Sequence, residues 1–223
     1  MKTNAELQRD VLDELLWDPS INAANLQVTA EHGRVTLNGS IASYTEKSAA
    51  RRATERVRGV VSVSNNVEVR LPPDDERTDA DLAGTASDAL RWNRLVPHEL
   101  IWVGAVQGRL TLTGDVPYHY QREAAYNAVR TLVGVKDVNN HIRIKPSVTA
   151  GAVKAQIEKA LVRSAETDAV RIQVATDDGT VTLTGNVHSW SEHDEVGRAA
   201  WGAPGVQRVQ NDLVVLDSEA GKL

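Results

Sequence analysis

The stretch Gly33-Arg34-Val35-Thr36-Leu37-Asn38-Gly39 returns as Gly108-Arg109-Leu110-Thr111-Leu112-Thr113-Gly114 and again as Gly179-Thr180-Val181-Thr182-Leu183-Thr184-Gly185. Each copy alternates apolar and polar residues between two glycines, the period-two pattern of a half-buried strand. The opening Gly suits a hairpin turn, where positive φ is cheap without a Cβ. The closing Gly shares a face with Val35 and Leu37 (and their counterparts), which points to a neighbouring backbone passing close by.

The rest of the chain keeps step with this strand. Gly39, Gly114 and Gly185 are each followed twenty positions later by Gly59, Gly134 and Gly205, each with a Val next to it. Six positions further stands Asn65, Asn140 or Asn211. The copies are offset by 75 and 71 residues. Solenoid units run to about 20–50 residues, so a repeat of this length reads instead as a small domain with a thin core. Three tandem domains are expected, at 1–72, 73–147 and 148–218, with a tail at 219–223. Their boundaries fall at Pro72-Pro73-Asp74-Asp75-Glu76 and at Lys145-Pro146-Ser147.

Each unit opens with a helix whose apolar residues fall on one face: Leu7, Val11 and Leu15; Leu82, Ala86 and Leu90; Val153, Ile157 and Leu161. Thr3 or Asn4 can cap the first. Strands follow at Leu26–Ala30, Ile101–Ala105 and Arg171–Ala175, then the core strand, then a second helix over Glu46–Arg58, Gln121–Val133 and Glu192–Ala203. Ser43-x-x-Glu46 and Ser189-x-x-Glu192 read as capping boxes. The inward positions of this helix are small: Ala50 and Ala53, Ala125 and Ala128, Val196 and Ala199. A third strand, parallel to the core strand through a right-handed crossover, closes each unit. The fold class is α+β: three α-β-β-α-β domains, each a three-stranded mixed sheet with two helices packed on one face.

The pattern Gly-x-Val-x-Leu-x-Gly, an Ala-rich helix, then Gly-Val-x-x-Val-x-Asn-x-Leu-x-Val resembles the BON domain, named for bacterial osmotically inducible and nodulation proteins. All three units carry it. The resemblance implies a bacterial, stress-associated, non-enzymatic protein that binds phospholipid membranes or protein partners. Some members sit in secretins or mechanosensitive channels, and one potassium-binding member pairs the domain with a LysM segment not recognisable here. A potassium- or ion-sensing module and a purely structural array are therefore alternatives.

Composition narrows the chemistry. The 223 residues are 41% hydrophobic and 25% charged, with no Cys and no Phe. Thiolate sites and disulfides are thereby excluded. The net charge of −5 is spread so that no domain is strongly basic, which argues against nucleic acid as a partner. No run of about 18 apolar residues suggests a membrane span. Met1–Glu6 lacks a signal-peptide pattern, so a cytoplasmic location is expected, or a periplasmic one if an export signal has been removed. His32, His98, His119, His141, His188 and His193 form no recognised metal pairing, no nucleophile elbow or phosphate loop occurs, and no catalytic residue, metal site or cofactor is expected.

The binding candidates are aromatic and basic. The loop before the second helix carries Tyr44, then Tyr118 and Tyr120 with His119, then Trp190. Such rings suit a membrane interface. In the first unit Lys47, Arg51 and Arg52 (with Arg56 and Arg58) offer cations to anionic headgroups. Trp17 and Trp92 share one repeat position, held by Arg163 in the third unit, and are expected to cap the core. The repeated Asn is expected to satisfy backbone groups near a bulge or strand start, with a cation-binding carbonyl as the alternative.

Overall fold

The computed structural model describes residues 2–145, 149–163 and 171–216. The first repeat comprises helix α1 (Asn4–Trp17), strands β1 (Leu26–Glu31) and β2 (Arg34–Ile41), helix α2 (Tyr44–Arg56), and a final strand broken into β3 (Ser62–Asn65) and β4 (Glu68–Val69). The second comprises α3 (Asp79–Trp92), β5 (Ile101–Val106), β6 (Arg109–Val116), α4 (His119–Val129) and β7 (Asp137–Ile144). The third comprises α5 (Ala150–Arg163), β8 (Ile172–Asp177), β9 (Thr180–Val187), α6 (Trp190–Trp201) and β10 (Arg208–Val215). The α-β-β-α-β order and the mixed sheets are as the sequence predicts.

In every sheet the Thr-rich core strand lies in the middle, in the orders β1-β2-β3 (β4 also on β2), β5-β6-β7 and β10-β9-β8. β1 runs antiparallel to β2, with Val28 opposite Leu37. β3 and β4 run parallel to it. The third repeat reproduces this, with Val174 opposite Leu183 on one side and Asn211 opposite it on the other.

The hairpin turns have positive φ at two successive residues: His32 and Gly33, Gln107 and Gly108, Asp178 and Gly179. This is the geometry whose twist matches that of flanking strands. The closing glycines are a matter of space. A Cβ on Gly39, Gly114 or Gly185 would collide with the carbonyl oxygen of Asn25, Leu100 or Arg171, just before the preceding strand. The close backbone approach read from the sequence is present in all three copies.

Thr3, Thr78 and Thr149 occupy one repeat position, and each hydroxyl accepts an N–H of the first helical turn. Thr3 and Glu6 complete a capping box. Asn4 does not cap. Its Oδ1 accepts the N–H of His32 at 3.0 Å, tying α1 to the hairpin turn. Asp79, its counterpart, does the same to Gln107 and Gly108 at 2.8 and 2.9 Å. These two N–H groups, that of Gly108 most of all, hold the Asp79 carboxyl below its ordinary pKa.

The first core joins Leu7, Val11 and Leu15 of α1 to Val35 and Leu37 of β2 and Ala50 and Ala53 of α2. The third joins Val153, Ile157 and Leu161 to Val181, Leu183, Val196 and Ala200. Both helices thus cover one face of the sheet. In α4 and α6 the inward residues differ in part from expectation: Val129 and Ala200 are fully buried, whereas Ala128 and Ala199 are half-buried. Helices α2, α4 and α6 also begin two residues earlier than expected; in α2 and α6 the caps Ser43 and Ser189 are followed directly by the first helical residue.

The expectation that Trp17 and Trp92 cap the core is not met. Both are 84% exposed. Each lies two residues beyond the last core leucine of its helix, a turn of about 200° away from the buried stripe.

The described chain forms two compact units. One holds residues 2–92, 103–112 and 126–140; the other holds 93–102, 113–125 and the described residues from 141 to 216. The second repeat contributes to both. The linker Pro72–Glu76 is ordered as a short 3-10 turn over Pro73–Asp75, with the Arg77 guanidinium donating to the carbonyls of Asp74 and Glu76. Pro146, Ser147 and the 219–223 tail lie outside the described residues.

Candidate functional site

The second helix of each repeat and the loop before it carry all of the side chains proposed from sequence. Ser43 caps α2 by accepting the N–H of Glu46, and Ser189 caps α6 by accepting that of Glu192. The two glutamates do not simply close capping boxes. Glu46 is buried, and its carboxylate accepts N–H groups from Ala42 at 3.0 Å and Asn22 at 2.5 Å. Glu192 is buried too and accepts from His188 at 2.7 Å. In the second repeat Gln121 holds this place, accepting from Tyr118. The helix start is thereby clamped to the loop ahead of it.

This clamp fixes where the first helical residue points, and that residue is a ring in every repeat. In the first unit Tyr44 is half-buried, its hydroxyl 3.0 Å from the Tyr126 hydroxyl of α4. Burial first, and the Tyr126 hydroxyl second, push its phenol pKa up. In the second unit His119 lies against Trp201 of α6, ring centroids 4.2 Å apart. Burial lowers the His119 pKa, offset in part by Glu123. Trp190, the third ring, is 70% exposed, with its edge toward His193 of its own helix.

The other candidates are placed as follows. Tyr118 and Tyr120 stack at 5.5 Å, and Tyr120 is exposed. Lys47 is half-buried, and its backbone carbonyl accepts from the Asn65 side chain. Arg51 is exposed and bonded to Glu55 at 2.8 Å, while Arg52 is exposed beside the Glu46 clamp. Arg56, further along the helix, pairs with Glu14 and Asp18 of α1. The basic residues of α2 are therefore divided between outward and internally paired positions.

The repeated asparagines stitch strand to helix. Asn65 donates to the Lys47 carbonyl and accepts the Val67 N–H; Asn211 donates to the His193 carbonyl and accepts the Leu213 N–H. Their amide oxygens already serve the backbone. In the first repeat the Asn is the last residue of β3, at the break before β4, rather than at a strand start. Among the described residues no group of three His, Cys, Asp or Glu could hold a metal ion, and no helix is long and apolar enough to cross a membrane.

The profile of the BON domain matches residues 3–70, 78–146 and 149–217. The chain belongs to the BON domain family. Over 135 residues it is 26% identical to osmotically-inducible protein Y of Escherichia coli strain K12, a match covering 56% of this chain and 65% of that protein. Among solved structures, CdsD, a structural protein of the type III secretion system of Chlamydia trachomatis, aligns over 96% of this chain and 93% of its own at 19% identity, with a TM-score of 0.29. The PrgH periplasmic domain aligns over 92% and 100% at 16% identity, with a TM-score of 0.23.

Sequence reasoning missed two residues of the BON helices, Tyr126 and Trp201, that receive the rings of the preceding repeat. They are twelve and sixteen positions after the closing glycines, one helical turn apart on the repeat scale. A register of helix positions counted from those glycines would have shown both as large rings in an otherwise Ala-rich helix.

Proposed function

We propose that this BON protein is a non-enzymatic, stress-associated binding protein that attaches to anionic phospholipid surfaces. Family membership and the similarity to an osmotically inducible protein support the stress association. The observation that carries the membrane reading is the exposure of Trp17 and Trp92 at the same place in two repeats, each at the C-terminal end of a first helix. A Trp so exposed adds nothing to its own core, while its ring is well suited to the headgroup layer. Leu16 and Leu95 are exposed nearby in sequence, and Arg91 and Arg94 flank Trp92. Lys47, Arg52, Tyr118 and Tyr120 add further cationic and aromatic groups. Each contact is weak, and several on one chain raise the effective affinity.

Co-sedimentation with vesicles tests this. Binding to anionic but not neutral vesicles, weakened by salt, is expected. The double variant Trp17→Ala/Trp92→Ala lowers it, and Lys47→Glu/Arg52→Glu lowers it further. A wild-type chain that sediments with neither kind of vesicle overturns the reading.

A further inference from the structure

Helix α6 departs from its two counterparts at two positions. Twelve residues after the closing glycine, α2 has Arg51 and α4 has Tyr126, whereas α6 has Gly197. Sixteen residues after it, α2 has Glu55 and α4 has Arg130, whereas α6 has Trp201. The third repeat thus places its smallest side chain one helical turn from its largest. Ser191, Asp194, Gly197, Arg198 and Trp201 follow one stripe of α6. With Asn211 of β10 they line a surface cavity of about 440 Å³, all within one compact unit.

The backbone does not demand this glycine. Its φ is not positive, and a Cβ built on it would meet only the Asn211 amide nitrogen, at an ordinary contact distance of 3.4 Å. A glycine inside a helix is less favourable than an alanine. What Gly197 provides is space beside an indole. Trp201 is half-buried and backed by His119, ring centroids 4.2 Å apart, so the indole stands as a fixed wall. The Asn211 side chain is fixed too, its nitrogen donating to the His193 carbonyl and its oxygen accepting the Leu213 N–H. An amide nitrogen carries two hydrogens, which leaves one for a ligand. Asp194 and Arg198 bring one charge of each sign to the rim.

We propose that this cavity binds a pyranose ring of a saccharide. The face of a pyranose is a layer of slightly positive C–H groups, which suits the negative face of an indole. Its edge carries hydroxyls that both donate and accept. Asp194 accepts from them, and Arg198 and Asn211 donate to them. A phosphate group calls for a rim of net positive charge and an acyl chain for an apolar one, and this rim is neither. The volume falls in the range of small-ligand sites, roughly 300–1,000 Å³. The site rests on α6 and β10 and stands apart from the membrane reading, which rests on Trp17 and Trp92.

Heteronuclear NMR of the full chain tests this through the indole N–H signals of its five Trp residues. Trp201→Phe identifies the Trp201 signal by its loss. Titration with glucose, N-acetylglucosamine and maltose is expected to move that signal saturably with at least one of the three, while the signals of Trp17 and Trp92 stay in place. Glycerol, which has hydroxyls but no ring, leaves it unmoved. Gly197→Tyr fills the space with the residue that α4 carries at this position, and it abolishes the response. Asp194→Ala alters only an exposed side chain and lowers the affinity about tenfold, through loss of a charged acceptor. A Trp201 signal that none of the three sugars moves overturns the proposal. So does a response that glycerol reproduces, or one that persists unchanged in Gly197→Tyr or in Asp194→Ala.

Discussion

His119 shows how one side chain can couple a local contact to pH. Its ring lies against Trp201, and burial lowers its pKa below the ordinary value. Glu123, 4.0 Å away, favours the charged form but does not reverse this, and Arg122 opposes it. The sign follows from linkage. With the folded pKa below the unfolded one, the unfolded chain binds the proton more readily, so the stabilisation is complete above about pH 6.5 and is lost as pH falls through the folded value. The Tm of the wild type should therefore drop more on acidification across that window than the Tm of His119→Phe, which keeps a ring on Trp201 without a titrating group. Equal drops in the two would remove His119 from the pH response. Tyr44 and Trp190 stand at the same repeat position without titrating in this range, so the effect belongs to the second repeat alone.

At the scale of an element, the clamp at the head of the second helix is the most informative feature. The Glu46 carboxylate takes the N–H groups of Asn22 and Ala42, binding the segment before β1 and the end of β2 to the first turn of α2. Glu46→Ala leaves those donors without their acceptor and should cost about 1–3 kcal/mol in chemical denaturation. Glu46→Gln should cost less, since an amide oxygen can still accept an N–H there, whereas in the second repeat the positions of Asn22 and Ala42 are Pro97 and Pro117, which have none to give. An alanine variant as stable as wild type would show that water replaces the clamp. Sequence spacing showed Glu46 and Glu192 as capping residues but not their second task, because Asn22 is 24 residues away and only the fold brings it near. The same limit applies to Tyr126 and Trp201. Hydrophobic period, turn chemistry and glycine position are local and were legible: the core strand, its hairpin, its close-approach glycine and the parallel third strand all follow from them. Trp17 and Trp92 were legible in principle, since each falls off the stripe of Leu15 or Leu90, but their bulk suggested burial.

Over the whole molecule, the distribution of indoles gives the last prediction. Trp17 and Trp92 are 84% exposed, Trp190 is 70% and Trp102 is 67%, while Trp201 alone is half-buried against His119. The cores are instead filled by Val, Leu, Ile and Ala, in a chain without Phe. A folded protein usually hides large rings, and exposed apolar side chains gathered into patches mark surfaces that meet something else. The native emission should accordingly lie close to that of the unfolded chain, with only a small shift on denaturation. Anionic vesicles should move the emission to shorter wavelength, and salt should reverse the movement, because the attraction that brings the rings to the headgroups is screened. In Trp17→Ala/Trp92→Ala the vesicle-induced shift should shrink. A native spectrum already at short wavelength would mean that these rings are covered in solution, and the membrane surface would then have to be sought on other residues.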